Sequence, residues 1–402
     1  MRITTNMIYN RSLTALSGAN ERLDRANNQL ITGQAFTSAG ENPSGMGQKM
    51  ALDKEIALYQ QYNVNGSLLE NGLSHEETIL SSIHDAMLSA QTLVQKANDG
   101  ALDAANRASI ASELEGVQKQ LFDLMNSKNS QGEYMFGGNQ SEVQPFVQDA
   151  AGNYLFQGDT GVRFLQVSPS VNLQANDSGL DLFQTVATRR SASATSANIQ
   201  VGVADQGQFD TFYKSSYDPA LPSNSFSVNT IAGSPDTYEV YDSGGTLLQS
   251  GDYVAGNTIN FQGLSLTLSV PAGGASQSFA LDTPTNDNVL NSLGSFITTL
   301  RDPTVTGSNF QDAVADVSVH LENSRRRMDL GMGNIGARLN SLELVMSSNS
   351  GLDIMNKETR ANVSEADMYE TISTIAKEET VLSASQLAFS KIGQLSLFDY
   401  IR

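Results

Sequence analysis

The residues most open to a chemical reading are a glycine-rich hexad, a run of arginines and three histidines. Gly331-Met332-Gly333-Asn334-Ile335-Gly336 has the spacing G-x-G-x-x-G. In a dinucleotide site those glycines follow a buried strand and let a helix N-terminus approach a pyrophosphate. Here the preceding residues, Asn323 to Leu330, are polar, basic and helical in pattern, so a flexible break between helical segments is the expectation. Arg325-Arg326-Arg327 could in principle hold phosphate, but three consecutive residues of a helix point in different directions. A solvated face, or intersubunit ion pairs with acidic neighbours, is expected instead. His75 and His84 are nine apart and do not share a helix face, and His320 is distant. With no patterned carboxylates around them, all three read as ordinary surface histidines rather than metal ligands. Cysteine is absent, which removes disulfides, thiolate metal sites and Cys nucleophiles. No Ser sits in a strand–elbow–helix context and no zinc motif is present. No catalytic constellation emerges, and no enzyme activity, cofactor or metal is expected.

The elements that would have to position such residues are organised differently at the ends and in the middle. At 402 residues the chain is too long for one ordinary core, so two or three folded units are expected. Hydrophobic residues make up 39%, enough for cores, and with no Trp those cores should be built from Leu, Ile, Val, Met and Ala. The net charge of −19 argues against nucleic acid and against anionic membrane surfaces as partners. No charge-free stretch could span a bilayer, and Met1 to Tyr9 has no apolar signal-peptide region. Cytoplasmic residence and export without a cleaved signal both fit that pattern.

Near the start, Tyr9, Leu16, Leu23 and Leu30 fall seven apart, with Ala19 and Ala26 three residues after the second and third. Near the end, Met368, Ile375, Leu382 and Phe389 repeat the spacing, flanked by Ile372 and Ala376. Each set is a narrow a/d seam on an otherwise polar helix. A lone helix of this kind cannot bury its stripe, so the two seams need partners: each other, other subunits, or both. Helical spacing continues over Leu52 to Lys96, Ala104 to Met125, Val289 to Leu300 and Phe310 to Val345, as an antiparallel bundle would require. In the centre the period changes. Tyr154 and Phe156, then Val162 and Phe164, flank Gly158-Asp159-Thr160-Gly161 as in a hairpin. Ser191 to Ala197 reads as a linker. Tyr238 to Tyr241 and Thr246 to Leu248 flank a second hairpin turn, and Ile259, Phe261, Leu264, Leu266, Leu268 and Val270 alternate so that one face is buried. The fold class expected is α+β: terminal coiled-coil helices and an antiparallel helical stem with a small hairpin region and an inserted all-β domain. The divisions expected are residues 1–50 with 355–402 for the terminal coiled-coil region, 51–190 with 285–354 for the stem, and 191–284 for the inserted domain.

Three passages carry a resemblance. Gln29 to Gln34, followed by Ser38-Ala39-Gly40-Glu41-Asn42-Pro43-Ser44-Gly45, resembles the N-terminal signature of the flagellin-like axial proteins. Gly132-Glu133-Tyr134-Met135-Phe136-Gly137-Gly138, with Pro145-Phe146 after it, is similar to the hook–filament junction branch of that family, as is the ending with Ser396-Leu397-Phe398-Asp399-Tyr400-Ile401. Gly132, Tyr134, Phe136, Gly137, Pro145, Phe146 and Leu397 carry that match, and Glu41-Asn42 stands where the family usually has paired acidic residues. The resemblance covers the helical ends and fades in the β region. It implies a structural, secreted subunit of the bacterial flagellum, passed unfolded through the type III export channel with the help of an export chaperone. It implies terminal helices that are disordered in the monomer and self-associate in a ring, with another junction protein on the hook side and flagellin on the filament side. The alternative within the family is flagellin itself. A rival from another class, an adhesin or carbohydrate-binding module in the β domain, would need a clustered aromatic platform, and residues 197 to 281 show none.

Overall fold

A computed structural model describes residues 5–99, 102–221 and 223–400; the side chains of residues 5, 6, 8 and 392–400 lie outside that description. Three helices open the chain: α1 (Thr5–Thr32), α2 (Pro43–Ala97) and α3 (Ala104–Met125). Strands β1 (Phe146–Gln148), β2 (Tyr154–Phe156), β3 (Phe164–Ser168) and β4 (Val171–Gln174) follow, then a π-helical turn, Leu180–Gln184. Next come β5 (Val186–Ala187), β6 (Ala192–Ala194), β7 (Ile199–Val203), α4 (Gln206–Ser216), β8 (Asn224–Ile231), β9 (Thr237–Tyr241), β10 (Leu247–Asp252), β11 (Thr258–Phe261), β12 (Leu264–Leu268), β13 (Gln277–Leu281) and β14 (Asn286–Asp287). Helices α5 (Val289–Arg301), α6 (Ser308–Ser364) and α7 (Met368–Tyr400) close it. The fold is α+β, and the chain divides into two compact units. One comprises the residues up to Leu68, Gln166–Leu173 and those from Ser341 on; the other comprises Leu69–Leu165 and Gln174–Asn340.

The larger unit has an apolar helical core. Asp103 caps α3 by accepting from the Asn106 N–H at 2.7 Å, and Asn288 caps α5 by accepting from Leu290 N–H at 2.9 Å. Each cap satisfies one of the donors a helix start leaves free. Ile110, Leu114 and Leu121 of α3 and Leu290, Leu293, Ile297 and Leu300 of α5 are buried at helix-face spacing, and the buried Gln118 amide ties the two helices by donating to Leu290 O at 2.8 Å. Leu73, Leu80, Ile83 and Met87 of α2 and Leu321, Met328 and Ile335 of α6 are fully buried in the same unit.

The inserted β region has a core of its own. One sheet runs β10-β9-β8-β13-β6 and another β11-β12-β7, all pairs antiparallel. The alternating residues Ile259, Phe261, Leu264, Leu266, Leu268 and Val270 are all buried with Phe226, Val228, Val240, Phe279 and Leu281. Its entry and exit meet at β5–β14, where the Thr188 and Thr285 hydroxyls lie 2.7 Å apart.

Several expectations are corrected here. The inserted domain is not purely β: α4 starts at the Asp205 cap, and Phe209, Phe212 and Tyr213, at i, i+3 and i+4, pack into the β core. Ser191 to Ala197 is not a linker, because β6 lies within it as an edge strand on β13, its small side chains held by Ser191 and Ser193 donating to Asp282. Tyr154–Phe156 pairs with Phe146–Gln148 and not with Val162–Phe164. The tight turn is made by Asp149, which accepts from the Ala151 and Asn153 N–H groups, and Phe146 and Phe156 stack across the pair at 5.2 Å. The Asp159 carboxylate instead binds the N–H groups of Asn139 and Gly161, which spends the presumed turn on a loop contact. The hexad Gly331–Gly336 is no break, for α6 runs through it. An interior glycine costs a helix about 1 kcal/mol, but Met328 before the hexad and Ile335 within it are fully buried, and a Cβ at Gly331 would stand 3.0 Å from Leu182. His320 is buried, not at the surface: its Nδ1 lies 2.5 Å from the Ser292 hydroxyl and its Nε2 3.1 Å from Asp287 O. Burial pushes its imidazole below the usual value. Arg325 and Arg327 are also engaged within the chain, on Gln91 and on Asp181 O. Among the described residues no helix is long and apolar enough to cross a membrane, and no group of three His, Cys, Asp or Glu is placed to hold a metal ion.

Candidate functional site

The candidate site is the pair of terminal helices in the smaller unit, and its geometry starts at a corner. Helix α1 ends at Thr32, and Gly33 adopts a left-handed φ of +69° to turn the chain. The turn then zips to the α6–α7 corner: Ala35 N–H donates to Ser364 O at 2.8 Å and Ala366 N–H to Gly33 O at 3.0 Å. The Gln29 side chain braces it by donating to Ala35 O at 2.7 Å. Both following helices start from capped positions. Asn42 accepts from Gly45 N–H at 2.9 Å, and Asp367 accepts from the Tyr369 and Glu370 N–H groups at 2.9 and 3.1 Å. Glu41, beside Asn42, accepts from Thr37 N–H at 2.7 Å, so the two residues that depart from the family's acidic pair serve as a turn brace and a helix cap. Phe36 is buried in this corner, and a Cβ at Gly45 would lie 2.7 Å from its ring. That position has no room for a side chain.

From the corner α1 and α7 run antiparallel and in contact. Arg22 donates through Nε and Nη2 to both Glu378 carboxylate oxygens at 2.9 and 3.0 Å, and the Tyr9 and Phe389 rings lie 5.0 Å apart. The two seams therefore meet each other within one chain. Ala19, Ala26 and Leu382 are buried; Leu16, Leu23, Ile375 and Phe389 are half-buried; Tyr9, Leu30 and Met368 are exposed. The close approach depends on the small residues, since Ala19 and Ala26 leave room for the facing helix backbone. The flanking residues expected beside the C-terminal seam, Ile372 and Ala376, are exposed, and Thr371 and Glu378 are buried instead. These two stand three residues after Met368 and Ile375, the d positions of the heptad. The signal was in the spacing, and their polarity concealed it. The Glu378 side chain is 9% exposed, and the hydrogen bonds and charge of Arg22 hold its carboxyl below the usual range.

A second set of apolar side chains on the same two helices is exposed among the described residues. Ile31 is 81% exposed and Tyr369 91%, and Met7, Leu13, Ile372 and Leu387 are exposed as well. Most of the exposed large apolar side chains among the described residues belong to this unit, although it is the smaller of the two. Apolar surface gathered in this way marks an association surface.

The motif residues of the resemblance other than Leu397 lie elsewhere, in the larger unit, and are packing residues. Phe136 and Phe146 are fully buried and meet Phe183 edge-to-face at 5.1 and 5.8 Å. Gly132 has a left-handed φ of +84°, and a Cβ at Gly137 would stand 2.7 Å from Gln140 O. Tyr134 lies under Lys128 Nζ at 4.4 Å, and Pro145 O accepts from Gln157 N–H at 2.7 Å. Leu397 falls within α7 by its backbone, and its side chain lies outside the described residues.

Comparison with known proteins agrees with this arrangement. The profile of the bacterial flagellin N-terminal helical region matches residues 3–141. Flagellar hook-associated protein 3 of Salmonella typhimurium is 30% identical over 186 residues, 46% of this chain and 58% of that protein. The match thus spans less than two thirds of the curated relative's length. The crystal structure of flagellar hook-associated protein 3 from Legionella pneumophila has the same fold, with a TM-score of 0.61 at 21% identity, covering 78% of this chain and 98% of that one. The FlgL structure from Xanthomonas campestris gives 0.60 at 24% identity, covering 77% and 99%. By sequence the chain is similar to the flagellin N-terminal helical region and to flagellar hook-associated protein 3, and by fold it is similar to the solved structures of that protein.

Proposed function

We propose that this chain is a structural subunit of the bacterial flagellum, joining hook-associated proteins to the flagellin filament. The observation that carries the reading is the antiparallel α1–α7 pair with apolar side chains that are exposed among the described residues. Such a pair is a two-helix unit ready for lateral packing, in which copies bury Tyr369, Ile31 and Leu387 against one another. The partners proposed are further copies of the chain in a ring, a second junction protein on the hook side, flagellin on the filament side, and an export chaperone before assembly. The location proposed is the flagellum outside the cell, reached by type III export. No catalytic step is assigned. Electron microscopy of a deletion strain tests the reading. Bare hooks, with intact flagellin released into the medium, are expected. A complete flagellum would overturn the proposal, and loss of the filament monomer itself from the medium would show that the chain is the flagellin.

A further inference from the structure

The larger unit contains a buried charge cluster that the assembly reading does not use. Glu76 of α2 is 2% exposed, and its Oε1 has no hydrogen-bond partner. Its carboxyl lies against the Asp177 side chain. Asp177 in turn forms an ion pair with Arg338 of α6, and Arg338 Nη1 donates to Gln174 O at 3.2 Å. Two carboxyl groups therefore face one guanidinium, which pairs with Asp177, in a desolvated place. Two carboxylates cannot hydrogen-bond to each other without a proton between them, and the second negative charge would be buried without a counter-ion.

The residues around Asp177 give the cluster something to hold. Asn176 accepts from Arg163 N–H at 2.7 Å and donates to Gly138 O at 3.3 Å. The Ser178 hydroxyl donates to Asp159 O at 2.8 Å, and Gly179 N–H to Phe136 O at 2.9 Å. Residues 174–179 thus stitch together the loops around Phe136, Gly138 and Asp159.

We propose that Glu76, buried beside Asp177 with one carboxyl oxygen unpartnered, is a lock that fastens the 174–179 segment to α2 and is released when its proton passes to solvent. The charged groups that face it are Asp177 from that segment and Arg338 from α6; its neighbours on α2, His75 and Glu77, point outward and are exposed. Burial first, and then the Asp177 charge, push the Glu76 carboxyl well above the usual carboxylate range, with Arg338 pulling the other way. A carboxyl raised in the folded state stabilises fully below its ordinary value, and that contribution is lost as pH rises through the raised value. The lock is therefore closed in acid and opens toward alkaline pH. It does not depend on the flagellar reading.

The test measures amide hydrogen exchange over residues 174–179 in the full chain, wild type against Glu76→Gln, from about pH 5 to about pH 9. Gln keeps a donor toward Asp177 and carries no proton to lose. Wild-type protection should fall relative to the variant by about tenfold per pH unit above the raised value, as loss of one proton requires. Parallel profiles overturn the proposal. Carboxyl-carbon NMR of the labelled wild-type protein gives a check that needs no variant to fold: a Glu76 resonance titrating in the ordinary carboxylate range overturns it. Asp177→Asn should move that titration downward, and an unchanged titration removes Asp177 from the lock.

Discussion

Glu378 occupies a heptad position suited to an apolar side chain, and it is buried there because Arg22 meets both of its oxygens. Arg22 itself is 54% exposed, so the contact joins a wet side to a dry one and is screened on the Arg side. The depressed Glu378 carboxyl contributes stability above its ordinary value, and that contribution is lost as pH falls through the depressed value. Acidification should therefore loosen the α1–α7 pair in the wild type, and Glu378→Gln should lack that step in a far-UV circular dichroism titration. A variant that tracks the wild type throughout would show the ion pair to be idle. Leu382→Asp acts more severely, because an unpaired charge on a buried seam costs on the order of several kcal/mol. The terminal helices should lose exchange protection while the larger unit melts as before, and the secreted variant should not assemble. A motile strain whose exported Leu382→Asp protein keeps its protection would contradict this. Gly45→Ala should destabilise the corner by about 1–3 kcal/mol, since the new methyl meets the buried Phe36 ring and the Asn42 amide. Denaturant unfolding of the terminal helices decides it, and an unchanged midpoint would mean that the corner yields.

The elements show the same principle at a larger scale: each closes on itself and is tied in at few points. In the inserted β region the apolar residues of both sheets and of α4 bury one another. Asp282 N–H donates to Ser191 O at 3.0 Å, so the two ends of the region are adjacent. Removing residues 191–282 and joining the flanks with a short Gly-rich link should leave a helical protein that unfolds cooperatively, with β14 still paired to β5. Circular dichroism and thermal melting of the shortened chain test this, and a broad, non-cooperative melt would show a shared core. The helices of the larger unit differ in that they close only in combination. The α3 stripe of Ile110, Leu114 and Leu121 is covered by α5, and neither helix could bury its stripe alone.

At the scale of the whole molecule, the two units differ in what fills them. The larger buries long apolar stripes of α2 and α6, with Glu76, His320 and Ser324 among them. The smaller buries Asn349, Asp353 and Asn356, and the buried Asn63 Oδ1 and Asp353 Oδ1 lack partners. Polar ties in it include Asn349 to Val167 O at 2.7 Å and Asn356 to Glu55 at 3.2 Å. It also leaves in water most of the exposed large apolar side chains among the described residues, so it should unfold first, giving two transitions in calorimetry of the isolated chain. Trypsin in dilute solution should reach Arg11, Arg25, Lys377 and Lys391 before any site in the larger unit. A single transition, or terminal helices that outlast the rest under trypsin, would count against this ordering. Polymer formation should raise the lower transition, because it covers the apolar face that the free chain leaves wet.

Much of this was legible in the residues themselves. The helix faces of α3 and α5 and the strict alternation from Ile259 to Val270 are periodic patterns of apolar groups, and the period fixes which face is buried. The glycine hexad was misread, because helix continuity at Gly331–Gly336 depends on Met328 and Ile335 being held by the rest of the unit. The strand partner of Tyr154–Phe156 was also out of reach, since Asp149 and Asp159 compete locally for the turn and only the packed Phe146–Phe156 rings decide between them. The burial of His320, Glu76 and Glu378 lay furthest from the sequence. A polar side chain looks the same in a sequence whether water or another chain segment satisfies it, and its partners, Ser292, Asp177 and Arg22, are brought to it only by the tertiary fold.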